Sequence, residues 1–257
     1  MLTEQIGWGL NDRDFLQQMT PRLAALPQPF LAWLITLSLH HPFDDFPDAH
    51  KELTLGPLER TPFGNYLHTM RFFDSALDAF LSSLARVGLL DRTMIAVFGD
   101  HDAGFARDPA LAAAMRVEPD RAAWELNDRV PFFVKIPNAA GGSIGRIVPI
   151  AAGQTDFAPT LLALLGIDPA PLPYMGRNLL GEPGDPPVVR PYGAWLDRTH
   201  LFLSADRGEG ECDSAADVSR VEAVACRTVD AAAIRARDIS RLVIADDLQQ
   251  RLREALR

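Results

Sequence analysis

At 257 residues, with 47% hydrophobic and 23% charged content, the chain has the length and balance of a globular protein that buries a real core. A net charge of −9 argues against wrapping nucleic acid, and any phosphate-bearing substrate would need a local cationic centre such as a metal. No apolar run approaches the roughly 18 residues that span a bilayer, and Met1-Leu2-Thr3-Glu4-Gln5 lacks the basic and apolar regions of a secretory leader.

In chain order, Asp12 is placed to cap a helix through about Leu26, with Phe15, Met19 and Leu23 spaced four apart on one face. After Pro27 and Pro29, Phe30 to Leu37 is a nearly continuous apolar run, the pattern of a strand buried on both faces. It empties into Ser38-Leu39-His40-His41-Pro42-Phe43. A long helix is predicted over Gly64–Val87, its stripe formed by Tyr66, Met70, Phe73, Leu77, Phe80, Leu81 and Leu84, with Gly88 as the residue that closes it. Thr93–Phe98 reads as a second buried strand that ends at Gly99-Asp100-His101. Phe105–Asn127 reads as irregular or helical, and Val130–Ile136 as a third strand whose Pro131 marks its start or an edge.

Asp156 is placed to cap a short helix, with Leu161, Leu162, Leu164 and Leu165 facing inward and Gly166 closing it. Strands alternating with helices predict an α/β fold, a mostly parallel sheet with helices on both faces. After Gly181 the texture changes. Glu182-Pro183-Gly184-Asp185-Pro186-Pro187 reads as a turn or linker, residues 191–206 and 219–228 as a small antiparallel sheet, and Ile239–Arg257 as a terminal amphipathic helix. This divides the chain into an α/β part, residues 1–181, and a small α+β extension, residues 182–257. Cys212 and Cys226 read either as two unrelated thiols or as one disulfide closing a short loop in an oxidising compartment.

The residues that carry chemistry sit where strands end. In an open α/β sheet ligands bind at the carboxyl ends of strands, and Gly99-Asp100-His101 lies at such an end. An adjacent carboxylate and imidazole can reach one divalent ion, a donor set that suits Mn²⁺ or Zn²⁺ better than Ca²⁺. His40-His41-Pro42 follows the other buried strand, and a histidine there can donate to a phosphoryl oxygen or act as a general acid. The two exits are expected to converge on one crevice.

Thr36-Leu37-Ser38-Leu39-His40-His41-Pro42-Phe43 resembles the T-L-S-x-H-x-P-F segment of the lipoteichoic acid synthase branch of the alkaline phosphatase/sulfatase superfamily. Gly7-Trp8-Gly9-Leu10-Asn11-Asp12, Phe98-Gly99-Asp100-His101, Val130-Pro131-Phe132, Gln154 to Leu161 and Met175 to Leu180 resemble further blocks of that branch, in order. The resemblance covers about residue 6 to residue 181 and implies an alkaline phosphatase-like catalytic domain.

By resemblance, Asp100 and His101 are metal ligands, for Mn²⁺ with Zn²⁺ or Mg²⁺ as alternatives, and His40 contacts the substrate phosphate. His41 falls at a variable position, and Asp74 and Asp156 read as a helix polar face and an N-cap. The implied activity is metal-dependent phosphotransfer of the phosphoglycerol transferase kind on phosphate-bearing lipid or glycan head groups. A sulfatase or phosphodiesterase, and a non-catalytic fragment, are the alternatives. The implied location is extracytoplasmic, with membrane attachment only through a part absent from this sequence. Family enzymes also use a Thr, Ser or modified Cys nucleophile and an earlier acidic ligand. Both are expected upstream of the point where this sequence begins, so no catalytic nucleophile is identified and metal binding by this chain alone is expected to be weak or absent. The sulfatase signature C-x-P-x-R is missing, and neither Cys212 nor Cys226 has that context.

Overall fold

Helix α1 (Asp12–Ala24) starts one residue earlier than its composition suggests, because Asn11 and not Asp12 is its cap. The Asn11 side-chain oxygen accepts from the Asp14 amide at 2.9 Å, and Asp12 and Asp14 face the positive end of the helix dipole. The computed structural model that shows this describes residues 4–137, 145–181, 186–190, 192–205 and 210–255. The chain forms two compact units, Met1–Ala106 with Val130–Ser143 and Arg107–Arg129 with Ile144–Arg257.

In the first unit α1 packs on α2 (Pro62–Arg86) around Leu16, Leu23, Ala76, Phe80, Leu84 and Leu89. Thr61 caps α2 by accepting from the Gly64 amide at 3.0 Å, with Pro62 in the first turn. The second half of α2 buries Phe80 and Leu84, as its apolar stripe predicts. The first half does not follow the stripe. Its buried ridge is Asn65, His68, Thr69, Phe72 and Ala76, while Met70 is exposed. Buried polar groups need partners, and most of these atoms have them: Asn65 Nδ2 donates to the Phe43 carbonyl at 2.9 Å, Thr69 Oγ1 donates to Asn65 O at 2.8 Å, and His68 Nε2 lies 2.9 Å from Glu59 Oε1, while His68 Nδ1 is buried without a partner among the described residues.

A short hairpin, β1 (Gln5–Ile6) with β2 (Gly9–Leu10), precedes α1, and Gly7 turns it at φ 65°, leaving Trp8 at the tip. Strands β3 (Ile95–Phe98) and β4 (Phe132–Lys135) pair antiparallel, from Ile95 opposite Lys135 to Phe98 opposite Phe132. Among the described residues every ladder is antiparallel, so the mostly parallel sheet expected from the sequence is not seen there. Phe30 to Leu37 joins no ladder among those residues. It is also not buried on both faces: Phe30 and Leu34 pack against the α1–α2 core, whereas Leu31, Trp33 and Ile35 are 93%, 70% and 61% exposed. A uniformly apolar run conceals which of its residues meet the core and which do not.

The second unit holds two short helices, α3 (Pro109–Met115) and α4 (Arg121–Asn127), capped by Asp108 and Asp120, and then α5 (Phe157–Leu164). The inward-facing leucines expected of α5 are half-exposed or exposed, and Phe157, Pro159 and Thr160 are buried instead. Asp156 does not cap α5 with its side chain. Its carboxylate accepts from the amides of Gly153 and Arg177, both at 2.9 Å, and so ties two loops together.

A four-stranded antiparallel sheet follows, β5 (Val188–Val189), β6 (Trp195–Leu196), β7 (His200–Leu203) and β8 (Glu211–Ser214) in that order. Period-two alternation sends Leu201 and Leu203 of β7 against Ala122 of α4, while Trp195 and Phe202 pack with Cys226 and Ala233 of α6 (Val224–Ala245). The strand predicted over 219–228 is therefore replaced: Arg220 makes a single bridge to Asp213, and α6 begins at Val224. The terminal helix is longer than expected and broken, α7 (Leu248–Ala255) following Asp247 at φ 46°. Of the predicted linker, Glu182 to Asp185 lies outside the described residues. Among the described residues no helix is long and apolar enough to cross a membrane.

Cys212 of β8 and Cys226 of α6 form a disulfide, both cysteines being buried beside Trp195. The bond closes a loop of sequence separation 14, which by chain entropy corresponds to roughly 3 kcal/mol. Cys226→Ser is expected to lower the unfolding free energy of the second unit by about that amount, as read by denaturant unfolding followed through tryptophan fluorescence, with reductant having the same effect on the unsubstituted chain.

A second prediction concerns pH. Burial pushes the Asp12 carboxyl above its ordinary value of 3.8, outweighing its hydrogen bonds to Ser38 and Leu37. A raised folded-state value means that the native chain holds this proton more tightly than the unfolded chain does. The associated stabilisation is complete below the ordinary value and is lost as pH rises through the raised one. Asp12→Asn, which cannot ionise, should therefore gain stability relative to the unsubstituted chain between about pH 3 and about pH 7. Paired urea midpoints at the two pH values check the sign.

Candidate functional site

Strand β3 runs directly into Gly99-Asp100-His101, and the glycine is required by packing. A Cβ on Gly99 would lie 2.9 Å from Val130 Cβ and 3.4 Å from Pro131 Cδ, because the Gly99 amide donates to the Pro131 carbonyl at 3.1 Å. Beyond it the chain folds back on itself: the His101 amide donates to Asp100 Oδ1 at 3.0 Å. His101 Nδ1 lies 2.6 Å from the Asp102 carbonyl oxygen. A carbonyl can only accept, so Nδ1 carries a proton, and in the neutral ring Nε2 is the nitrogen left for a metal, the arrangement found in metal-binding histidines.

Nε2 stands 3.8 Å from Asp100 Oδ1, and the Asp100 and His101 side chains are 81% and 51% exposed. The carboxylate of Asp102 is engaged in the loop itself, accepting from the Gly104 amide at 2.6 Å.

His40 reaches the same place from another direction. The Leu37 carbonyl accepts from the His40 amide at 3.3 Å, closing a turn over Leu37–His40, and from the Trp8 amide at 3.3 Å. His40 Nδ1 lies 2.7 Å from the His41 carbonyl, so Nδ1 donates there and Nε2 is the ring nitrogen left for a ligand. Trp8, at the hairpin tip, stacks on the His40 ring with centroids 3.8 Å apart and an interplanar angle of 29°. The His40 and His101 rings meet edge to face at 5.6 Å. The two exits singled out in the sequence thus come together within the first unit. His41 sits beside them, its ring 4.4 Å from that of His40.

An oxygen and an imidazole nitrogen fit a divalent transition ion or Mg²⁺, and the Nδ1 bond of His101 supplies the orienting second contact such sites use. Among the described residues no group of three or more His, Cys, Asp or Glu is placed to hold a metal, so Asp100 and His101 form a two-donor set. Asp74 and Asp156 have structural partners: Asp74 accepts from Arg71 at 2.7 Å on the exposed face of α2, and Asp156 holds the loop amides of the second unit.

Three residues that shape this site were not assigned to it from sequence. Trp8 appears there only as part of a matching block, Asp12 as a helix cap and Ser38 as a loop residue. Asp12 Oδ1 accepts from the amides of Leu37 at 3.0 Å and Ser38 at 3.1 Å, and the Asp12 amide donates to Ser38 Oγ at 2.9 Å. The available signal was Asn11, which made Asp12 redundant as a cap.

Comparison with known proteins gives the family and the fold. The family model described as Sulfatase matches residues 3–167. Lipoteichoic acid synthase 1 of Bacillus subtilis (strain 168) is 34% identical over 205 residues, covering 78% of this chain and 30% of that protein. The lipoteichoic acid synthase of Staphylococcus saprophyticus is 31% identical over 198 residues, covering 76% and 30%. The chain spans less than a third of the length of these curated relatives.

Among solved structures, the lipoteichoic acid synthase LtaP from Listeria monocytogenes matches with a TM-score of 0.74 at 22% identity, over 98% of this chain and 60% of that one. An alkaline phosphatase superfamily protein from Vibrio parahaemolyticus matches with a TM-score of 0.62 at 20% identity, over 98% and 57%. The fold is alkaline phosphatase-like. The chain belongs to the sulfatase family.

Proposed function

We propose that this sulfatase-family chain is the metal- and phosphate-binding part of a phosphotransferase of the phosphoglycerol transferase kind, acting on phosphodiester-bearing lipid or glycan head groups. The observation that carries the reading is the meeting of the His40 turn with the Asp100–His101 exit, at 5.6 Å between imidazoles. The names of the relatives, lipoteichoic acid synthases, support the substrate class.

In this reading Asp100 and His101 hold a divalent ion, Mn²⁺ foremost, with Zn²⁺ or Mg²⁺ as alternatives. Bound there, such an ion supplies positive charge to phosphoryl oxygens and activates a nucleophile. His40, its Nδ1 donating to the His41 carbonyl, can donate from Nε2 to a phosphoryl oxygen only as the doubly protonated imidazolium, and Trp8 covers one face of its ring. On a surface of net charge −9, these groups and the ion supply the local attraction that an anionic substrate requires. The Cys212–Cys226 disulfide supports an oxidising, extracytoplasmic location.

Two protein donors leave the rest of an ion's coordination to water, so this chain binds metal weakly by itself. The same two-donor set favours a second reading, a non-catalytic module. Calorimetric titration with Mn²⁺, followed by glycerol phosphate, separates them. The proposal expects binding weaker than about 1 μM, abolished by Asp100→Ala, with His40→Ala sparing Mn²⁺ binding and abolishing that of glycerol phosphate. Metal binding indifferent to Asp100→Ala contradicts the site, sub-micromolar binding contradicts the two-donor account, and no binding of either ligand supports the module.

A further inference from the structure

We propose that Asp12 is a positioning residue for this site, its buried carboxylate setting the turn that carries His40 to Asp100 and His101. The proposal rests on the reading of His40 as the phosphate contact. Asp12 is 0% exposed and Ser38 2%. The hydrogen bonds of the Asp12 carboxylate run to one short stretch, the amides of Leu37 and Ser38, which lie three and two residues before His40. The reciprocal bond from the Asp12 amide to Ser38 Oγ locks that stretch from the other side. Asp12 Oδ2 is buried without a hydrogen-bond partner among the described residues.

Helix capping does not account for this arrangement, because Asn11 already accepts from the first turn. Nor does ion pairing: the groups that favour the charged carboxylate are the backbone and hydroxyl groups of Leu37 and Ser38, not a cation. A carboxylate desolvated to this degree is costly unless its hydrogen bonds compensate, and here they fix one turn. Both peptide groups of Leu37 are then held, its N–H by Asp12 and its C=O by the amides of Trp8 and His40. Gly7 is part of the same fit, since a Cβ there would lie 2.5 Å from Leu37 O. Asp12 therefore acts through the turn: it sets where residue 40 leaves the backbone, and Trp8 receives the ring.

The test uses the labelled full chain. Two readouts are followed by NMR: the nuclear Overhauser contact between the Trp8 indole and the His40 imidazole, and the shift of the His40 ring on titration with glycerol phosphate. Asp12→Ala is expected to lose the Trp8–His40 contact and to weaken glycerol phosphate binding at least about tenfold, while amide signals of β5 to β8 and α6 stay in place. Asp12→Asn, which keeps the Oδ1 acceptor, is expected to retain the contact.

An Asp12→Ala chain that keeps both the contact and the phosphate response overturns the proposal. If that variant fails to fold, Ser38→Ala decides: a weakened contact supports the clamp and an unchanged one overturns it. Should His40 in the unsubstituted chain ignore glycerol phosphate, the functional reading fails, while the Trp8–His40 contact still decides the role of Asp12.

Discussion

The Asp12 carboxylate takes amide protons from Leu37 and Ser38 in surroundings that leave it no exposed surface, across sequence separations of 25 and 26 residues. Hydrogen bonds to a charged group contribute about 1.5–3 kcal/mol each, and stripping water from a carboxylate costs several kcal/mol. The two effects are comparable, and the upward push on the Asp12 carboxyl shows desolvation ahead. Such a group contributes little to stability and much to geometry. It fastens the first turn of α1 to the segment leaving the apolar run, so the packing of α1 on α2 also determines where His40 stands.

Around that fastening the first unit assembles the site from short pieces. The hairpin at Gly7 and Trp8 closes over Leu37, and Val130 and Pro131, which lead into β4, lie so close to the end of β3 that residue 99 has no room for a side chain. His40 and His101 each direct Nδ1 to the carbonyl of the next residue. One local device thus orients both imidazoles, and Trp8 adds a stacked face to that of His40.

Legibility from sequence followed the physics of each element. The second half of α2 and the exit of β3 at Gly99-Asp100-His101 were readable because an apolar stripe and a strand end have direct signatures. The first half of α2 was not, because its buried ridge is largely polar and bonded to partners such as Phe43 O and Glu59, which lie outside the helix. Phe30 to Leu37 was misread as buried on both faces, since identical apolar residues can line a covered face and an open one. Residues 219–228 alternate like a strand, yet Cys226 is drawn into α6 by its disulfide and its packing on Trp195. The meeting of His40 with His101 was legible as an expectation. Its supports, Trp8 and Asp12, were not, because each looked sufficient in a simpler role.

The central claim is that the His40 turn and the Asp100–His101 exit form one divalent-metal and phosphate site. Paramagnetic broadening by Mn²⁺ tests it most directly, because the effect falls off steeply with distance from the ion. The account predicts that substoichiometric Mn²⁺ broadens the ring signals of His101, His40 and Trp8 first, and that Asp100→Ala removes the effect. Broadening that begins elsewhere in the chain, or that leaves His40 sharp while His101 disappears, would contradict it.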